Sequence, residues 1–409
     1  MGATIEIKAG YKKTKLGWIP EDWEDFTMDD LIRFSGGSQP PRNTFVYEKE
    51  EGYIRLIQTR DYRTNKHKTY IKIEDARKVC ELDDIMIGRY GPPIFQLFRG
   101  LKGAYNVALI KAIPKNENIF QDYAWYFLNR IDLRKYLESL SQRSGGQTGI
   151  EMGRLKKYPF PLPPLPEQKK IADILSTWDK AIETTHALIK KLQLRKKGLM
   201  QQLLTGKKRL PGFEEEWVEK KMSEILIPAG KRVDTIPAEI YRQIGVRSHT
   251  KGIFHKEGVT GEKLGNKRVF WIEPDCFVVN IVFAWEHAIA KTTTQEKGMI
   301  ASHRFPMYKP QKEILDLDFL LYYYKTPKGK YLLQLASPGG AGRNKTLGKT
   351  EFLRLQIPVP VLKEQTAIAQ VLTKADEEIN QTQYYLEQLQ EQKKGLMQQL
   401  LTGQRRVAV

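Results

Sequence analysis

The chain has 409 residues, enough for two or three domains that each bury a core, and 41% of them are apolar with no uninterrupted apolar run approaching about 18 residues. That composition excludes a disordered chain and a helical membrane span, and the opening MGATIEIKAGYKKTK lacks the apolar stretch of a secretory signal. Lys and Arg number 67 against 48 Asp and Glu, a formal charge of +19 that favours polyanions such as nucleic acid, while Cys80 and Cys276 stand alone in apolar surroundings, as in a reducing, cytoplasmic setting.

In chain order, runs rich in β-branched and aromatic residues come first: YIRLIQ at 53–58, DIMIGRY at 84–90 and NVALIKAI at 106–113, each bounded by Gly, Pro or charge and read as a strand. Between them lie the loops FSGGSQPPRN, IQTRDY, IGRYGPP and GLKGAYN, and helical patterns follow near 120–140. The proline-rich PFPLPPLPEQ at 159–168 stops this globule and opens a long helix, with Pro166 and Glu167 suited to its first turn. The plan then recurs. Strand-like RVFWI (268–272) and CFVVNIVFAW (276–285), the loops GVRSHTKGIFHKEG, FAWEHA and ASHRFP, and helices near 315–335 lead to IPVPVLKEQ at 357–365 and a second long helix. The expected class is mixed α/β (α+β).

KKGLMQQLLTG occurs at 196–206 and again, unchanged, at 393–403. Aligning 166–206 with 363–403 at an offset of 197 gives 21 identities in 41 positions without a gap, so this is a duplication. Apolar positions alternate at spacings of four and three: Ile171, Leu175, Trp178, Ile182, Ile189, Leu192, Leu199 and Leu203. The second copy matches them with Ile368, Leu372, Ala375, Ile379, Leu386, Leu389, Leu396 and Leu400. Polar residues interrupt both stripes in register, Thr185 with Thr382 and Lys196 with Lys393. A seam of period 3.5 over five heptads predicts a coiled coil, and about 40 residues make a rod of roughly 60 Å. Gly198 and Gly395 sit inside the pattern, where glycine costs about 1 kcal/mol against alanine, and their retention suggests the close approach of another backbone.

Residues 166–205 carry eight basic and four acidic side chains, residues 363–402 four and six, so the helices are matched for pairing within the chain. The flanking regions also echo one another: LGWIPEDW at 16–23 with LPGFEEEW at 210–217, and DYAWYFL at 122–128 with DFLLYYY at 318–324. The N-terminal segment therefore supplies what would follow the second helix if the ends were joined. That order predicts a cyclic arrangement about a pseudo-twofold axis, two globules separated by two long helices that form an antiparallel coiled coil.

The loops concentrate Arg, Lys, Gln, Asn, His and Ser, the side chains that reach phosphates and base edges, with glycines that let backbone approach closely. Enzymatic motifs are missing from the sequence. There is no cofactor glycine loop paired with an NPPY-like tetrapeptide of an adenine methyltransferase. GRNKTLGKT at 342–350 mimics a phosphate loop but has Arg343 where glycine is needed and five residues between Gly342 and Gly348 where four are needed, so it reads as a loop near DNA. His249 and His255 lack a metal-binding partner pattern, and no acidic cluster is arranged like a nuclease site. A stand-alone coiled-coil DNA-binding regulator and a protein-only scaffold are the alternatives; the scaffold leaves the charge and the Arg/Gly-rich loops unused.

Over nearly its whole length the chain resembles the specificity subunit of type I restriction-modification enzymes. The resemblance rests on the paired PLPPLPEQ and PVPVLKEQ entries, the two helices ending in KKGLMQQLLTG, the GWIPEDW opening, and YIRLIQTRDY and IGRYG. It implies an N-terminal segment (1–24) completing a distal conserved region, a first target-recognition domain (25–160), a central conserved region with its long helix (161–217), a second target-recognition domain (218–357) and the distal conserved region with its long helix (358–409). It also implies a non-catalytic subunit with no cofactor of its own, partnered by double-stranded DNA, by two methylation subunits that carry S-adenosylmethionine, and by restriction subunits that use ATP and magnesium. The residues expected to read DNA are Gln39, Arg42, Arg60, Arg89, Tyr90, Asn106 and Gln147 in the first domain, and Arg247, His249, Lys251, Trp285, His287, His303 and Arg304 in the second. Gln201 and Gln398 are the candidates for partner contact.

Overall fold

The computed structural model describes residues 9–91, 93–140, 149–339 and 345–408. It divides into two compact units, Met1–Thr185 with Tyr385–Val409, and His186–Tyr384. The division cuts both long helices, Leu165–Leu203 and Leu362–Leu401, near their middles. Each unit thus holds the first half of one helix and the last half of the other, where the sequence pattern drew globules and helices as separate blocks.

In the first unit, four antiparallel strands stand in the order Ile32–Gly36, Leu109–Pro114, Ile85–Gly88, Leu97–Phe98, with Ala112 opposite both Phe34 and Ile85. Ile85–Gly88 is buried on every residue, as a continuous apolar run in a sheet centre requires. A second sheet carries Tyr53–Ile57 between Tyr70–Lys72 and Gly103–Tyr105, the last running parallel to it. A side chain at Gly103 would overlap the Arg55 carbonyl, so only glycine allows that pairing. The run NVALIKAI enters its strand late, at Leu109. Asn106 Oδ1 accepts from the Ala108 N–H at 3.2 Å and its carbonyl from Leu109 N–H at 3.0 Å, which closes a turn where a strand would otherwise begin. The expected helical region is two helices, Gln121–Leu128 and Ile131–Leu140. The first presents Tyr123 and Phe127 to Phe160, with Phe127 and Phe160 stacked at 3.9 Å, and this core continues onto Ile171, Leu175, Leu400 and Leu401.

The second unit repeats the first sheet with strands in the same order, Leu226–Ala229, Met307–Pro310, Phe277–Val279, Ile289–Lys291. Its other described strands are short pairs: Val218–Lys221 with Gln356–Val359, Ile240–Tyr241 with Val259–Thr260, Ile244–Val246 with Ile253–His255, and Val269–Trp271 with Ile300–Ser302. CFVVNIVFAW does not run as one strand. Asn280 Oδ1 accepts from Val282 N–H at 3.1 Å, and a short 3-10 turn, Ala284–Glu286, follows. The helix pair here is Leu317–Tyr324 and Pro327–Leu335. Asp316 caps the first by accepting from the Asp318 and Phe319 N–H groups, and Thr326 caps the second ahead of Pro327.

Within each unit the helix halves pack antiparallel. In the first, Ile171, Ala172 and Leu175 share a core with Leu400 and Leu401, while Lys393 Nζ reaches Asp179 Oδ1 at 2.5 Å. In the second, Leu203 and Leu204 meet Ile368, Ala369 and Leu372, while Lys196 Nζ reaches Asp376 Oδ1 at 2.5 Å and Arg195 pairs with Glu378. The seam positions are buried except Trp178, Ile182, Leu199 and Leu396, which are half-buried. The reading of Gly198 and Gly395 is corrected: a Cβ at either would meet nothing within 4 Å, so no backbone of the described residues approaches them.

Candidate nucleic-acid interface

The loops are carried by a framework that the two units build from corresponding residues. Glu167, 2% exposed, accepts from Trp23 Nε1 at 3.0 Å and from Arg406 Nε at 2.8 Å; Glu364, fully buried, accepts from Trp217 Nε1 at 3.2 Å and from Arg209 Nε at 2.6 Å. Arg209 and Arg406 lie 197 positions apart, the same offset as the helices, a signal present in the sequence although neither arginine belongs to the repeated motif. Gln168 donates to the Asn118 and Pro163 carbonyls and accepts from Phe120 N–H; Gln365 does the same with Ile314, Pro360 and Asp316. Tyr126 donates to Asp179, and Tyr322 to Asp376, each at 2.8 Å. Within each unit, these side chains anchor the proline-rich entry of the long helix to the helix pair. The hydrogen bonds to Glu167 and Asp22 raise the Arg406 guanidinium above its ordinary range, and the bond from Arg406 holds the Asp22 carboxyl below the usual carboxylate value.

In the first unit, four loops converge where the strands end. The 37–43 loop is tied to the 105–109 turn by Gly37 N–H to the Leu109 carbonyl at 3.0 Å and Ser38 N–H to the Tyr105 carbonyl at 3.1 Å, and a Cβ at Gly37 would overlap the Asn106 carbonyl. Asn106 N–H in turn donates to Ile57 at 3.1 Å, and Arg89 N–H to Ala108 at 2.9 Å. The IQTRDY turn is ordered from beneath by Asp61, 4% exposed, which accepts from Arg55 Nη2 at 2.9 Å and from Gln58 N–H at 2.7 Å. That turn leaves Arg60 exposed. Gln39 and Arg42 are also exposed, and Arg89 lies 5.2 Å from the centroid of the half-buried Tyr90 ring. Among the described residues Arg42, Arg60 and Arg89 hold no carboxylate partner, leaving their charge available to phosphate or guanine. Asn106 is placed differently from its expected role: it is 8% exposed, and its side chain supports the loop. Gln147 lies outside the described residues.

The equivalent strand ends of the second unit carry the other set. His249 N–H donates to the Glu286 carbonyl at 2.7 Å and Thr250 N–H to the His287 carbonyl at 2.9 Å, locking the 247–252 loop to the FAWEH turn. His249, Thr250 and His287 all adopt left-handed backbone, at φ 60°, 55° and 61°, a conformation that side-chain-bearing residues hold only when the surroundings impose it. Ile281 N–H donates to Arg304 at 3.0 Å and Leu347 N–H to Ile281 at 2.8 Å, which brings the 302–306 loop and the start of the last helical region to the same place. Arg247, His249, Lys251, His303 and Arg304 are exposed, with Arg247 5.0 Å from the Phe254 ring centroid. Trp285 is half-buried, donates to Val282 at 3.1 Å and has Lys345 5.9 Å from its ring. His287 Nε2 is buried without a hydrogen-bond partner among the described residues; burial, then the charges of Lys330 and His249, holds its imidazole below the ordinary range. His255 bonds Glu296 at 2.8 Å, and no group of His, Cys, Asp and Glu among the described residues could hold a metal. Cys80 and Cys276 are buried and free, their thiols pushed up to about 11 by burial. No described helix is long and apolar enough to cross a membrane. Gln201 and Gln398 stand exposed on their helices.

Set against known proteins, residues 20–194 and 275–390 match the family described as type I restriction modification DNA specificity domain. The chain is 30% identical to the putative type I restriction enzyme MjaX specificity subunit of Methanocaldococcus jannaschii, with 97% of each chain covered. It is 26% identical to the type I restriction enzyme MjaVIII specificity subunit of the same organism, over 95% of this chain and 94% of that one. Among solved structures, the type I restriction-modification S subunit from M. genitalium shares its fold at a TM-score of 0.56 and 15% identity, over 92% of this chain and 96% of that one. The chain belongs to the family of type I restriction-modification DNA specificity subunits.

Proposed function

We propose that each unit reads one half of a bipartite DNA target, through Gln39, Arg42, Arg60, Arg89 and Tyr90 in one and Arg247, His249, Lys251, Trp285, His287, His303 and Arg304 in the other. Asn106 supports its loop from below, and Gln147 belongs to the same reading set. The two long helices set the interval between the halves, and their repeated faces, Gln201 and Gln398 among them, dock two methylation subunits, through which restriction subunits join. Adenine methylation and DNA cleavage reside in those partners, with their S-adenosylmethionine, ATP and magnesium, and the assembly works in the cytoplasm. One observation carries this reading: the framework of Trp, Arg, Glu, Gln, Tyr and Asp is the same in both units, whereas the loops it presents are unlike. Equal frameworks suit identical partners, and unequal loops suit unequal half-sites. Mapping methylated adenines across the host genome tests it. The expected motif has two specified, dissimilar blocks around an unread spacer, with one methylated adenine in each block on opposite strands; a single continuous or palindromic motif refutes it.

A further inference from the structure

A cavity of about 1220 Å³ opens within the second unit, between the end of the first long helix, residues 323–328 and Pro358. Its floor is apolar, with Met200, Leu204 and Ile379. Around it stand five lysines, Lys196, Lys197, Lys207, Lys325 and Lys328, against the carboxylates of Glu219 and Asp376. Asp376 is already engaged by Lys196 and by the Tyr322 hydroxyl. Lys325 Nζ lies 4.8 Å from the Tyr322 ring centroid and has no carboxylate partner among the described residues. Burial, then the neighbouring charge of Lys196, holds its ammonium below the ordinary lysine range. An incoming carboxylate would relieve that cost.

The first unit has the same helix face and a different rim. The repeated segment supplies Lys393, Lys394, Met397 and Leu401 where the second unit has Lys196, Lys197, Met200 and Leu204. With Tyr126 and Tyr322 as corresponding points, Lys325 is replaced by Asn129 and Lys328 by Asp132; at the helix offset, Lys207 is replaced by Gln404. Arg130 is the cation the first unit gains, but it is 6% exposed and donates to Asp132 at 3.0 Å, which neutralises it in place.

We infer that the cavity of the second unit receives an acidic, amphipathic segment of a methylation subunit, so that the two docking faces are unequal and the second unit is loaded first. The inference rests on the proposed docking of methylation subunits along the helices. A concave pocket with an apolar floor and a cationic rim suits a peptide that carries both an apolar anchor and carboxylates, whereas a phosphate backbone offers nothing to the floor.

The test titrates the methylation subunit of the same host's type I system onto the full-length protein and counts bound copies by native mass spectrometry at low and moderate salt. Expected are two steps, the tighter one weakened about tenfold or more by Lys325→Gln with Lys328→Gln, and more salt-sensitive than the other. A second variant, Lys207→Gln with Lys328→Gln, changes exposed residues alone and reports the same loss if Lys325→Gln disturbs folding. Lys394→Gln in the first unit should leave the tight step unchanged. Two equal steps, unequal steps that ignore these lysines, or a loss of DNA retention without a loss of partner binding each overturn the inference while leaving the proposed function standing. Failure of the unaltered chain to bind the methylation subunit overturns both.

Discussion

Arg89 leaves the buried strand Ile85–Gly88 with its backbone fixed on both sides, donating to Ala108 and accepting from Ile150, and with its guanidinium beside the Tyr90 ring. Arg304 is fixed in the same manner through its carbonyl to Ile281. A rigid backbone under a charge that no carboxylate of the described residues satisfies favours base or phosphate contact, because little conformational entropy is lost on binding. Arg89→Ala and Arg304→Ala should each weaken specific DNA binding by the assembled enzyme by about 1–3 kcal/mol, measured by competition between specific and non-specific duplexes. Unchanged binding in both would place these loops away from DNA. Arg406 answers to a different rule. It is the cation facing Glu167, which is 2% exposed, so Arg406→Ala leaves a buried carboxylate with the Trp23 indole as its one side-chain donor among the described residues and should destabilise by roughly 2–3 kcal/mol at neutral pH. Asp22, whose folded value lies below 3.8, contributes through Arg406 above that ordinary value and loses the contribution as pH falls through the depressed one. The difference in thermal unfolding between the variant and the unaltered chain should therefore narrow on acidification from pH 5 to pH 3; a constant gap would show that Asp22 is not coupled to Arg406.

At the scale of elements, the long helices were the most legible part of the sequence. Their seam repeats, their proline-rich starts and the matched breaks at Thr185 and Thr382 all reappear, with both threonine hydroxyls turned back onto the carbonyls of Ala181 and Glu378. The glycines depart from the expectation for a physical reason: a small residue in a helix signals either close packing or tolerance, and only neighbouring atoms distinguish the two. Since a Cβ at Gly198 or Gly395 meets open space and neither has a positive φ, Gly198→Ala and Gly395→Ala should each raise helix stability by up to about 1 kcal/mol, read as a higher Tm of the free chain. A lower Tm would mean that the helix is locally bent there. Strands were legible where burial was continuous, as at Ile85–Gly88, and illegible where an asparagine side chain captured the backbone, at Asn106 and at Asn280. Propensity along the chain carries no record of such a local hydrogen bond.

For the whole molecule, the excess of 67 basic over 48 acidic residues sets the expectation for association. If the exposed loop arginines and lysines replace counterions on DNA, the logarithm of the affinity should fall linearly and steeply with the logarithm of salt concentration. A salt titration of DNA retention by the assembled enzyme measures that slope. A flat response would return the chain to the scaffold reading, in which the helices matter and the charge does not.

By itself the sequence determined the duplication, the two long helices and their seam, the mixed α/β globules, the basic surface and the family, because these are properties of periodicity, composition and local motif that survive without coordinates. It also located the loops. Only the tertiary structure decided that Asn106 turns inward, that Arg55 and Asp61 order the turn bearing Arg60, that Arg209 and Arg406 close on buried glutamates, and that lysines far apart in the chain gather around one cavity. Those outcomes depend on which side chains meet across long separations, and on how much water remains when they do.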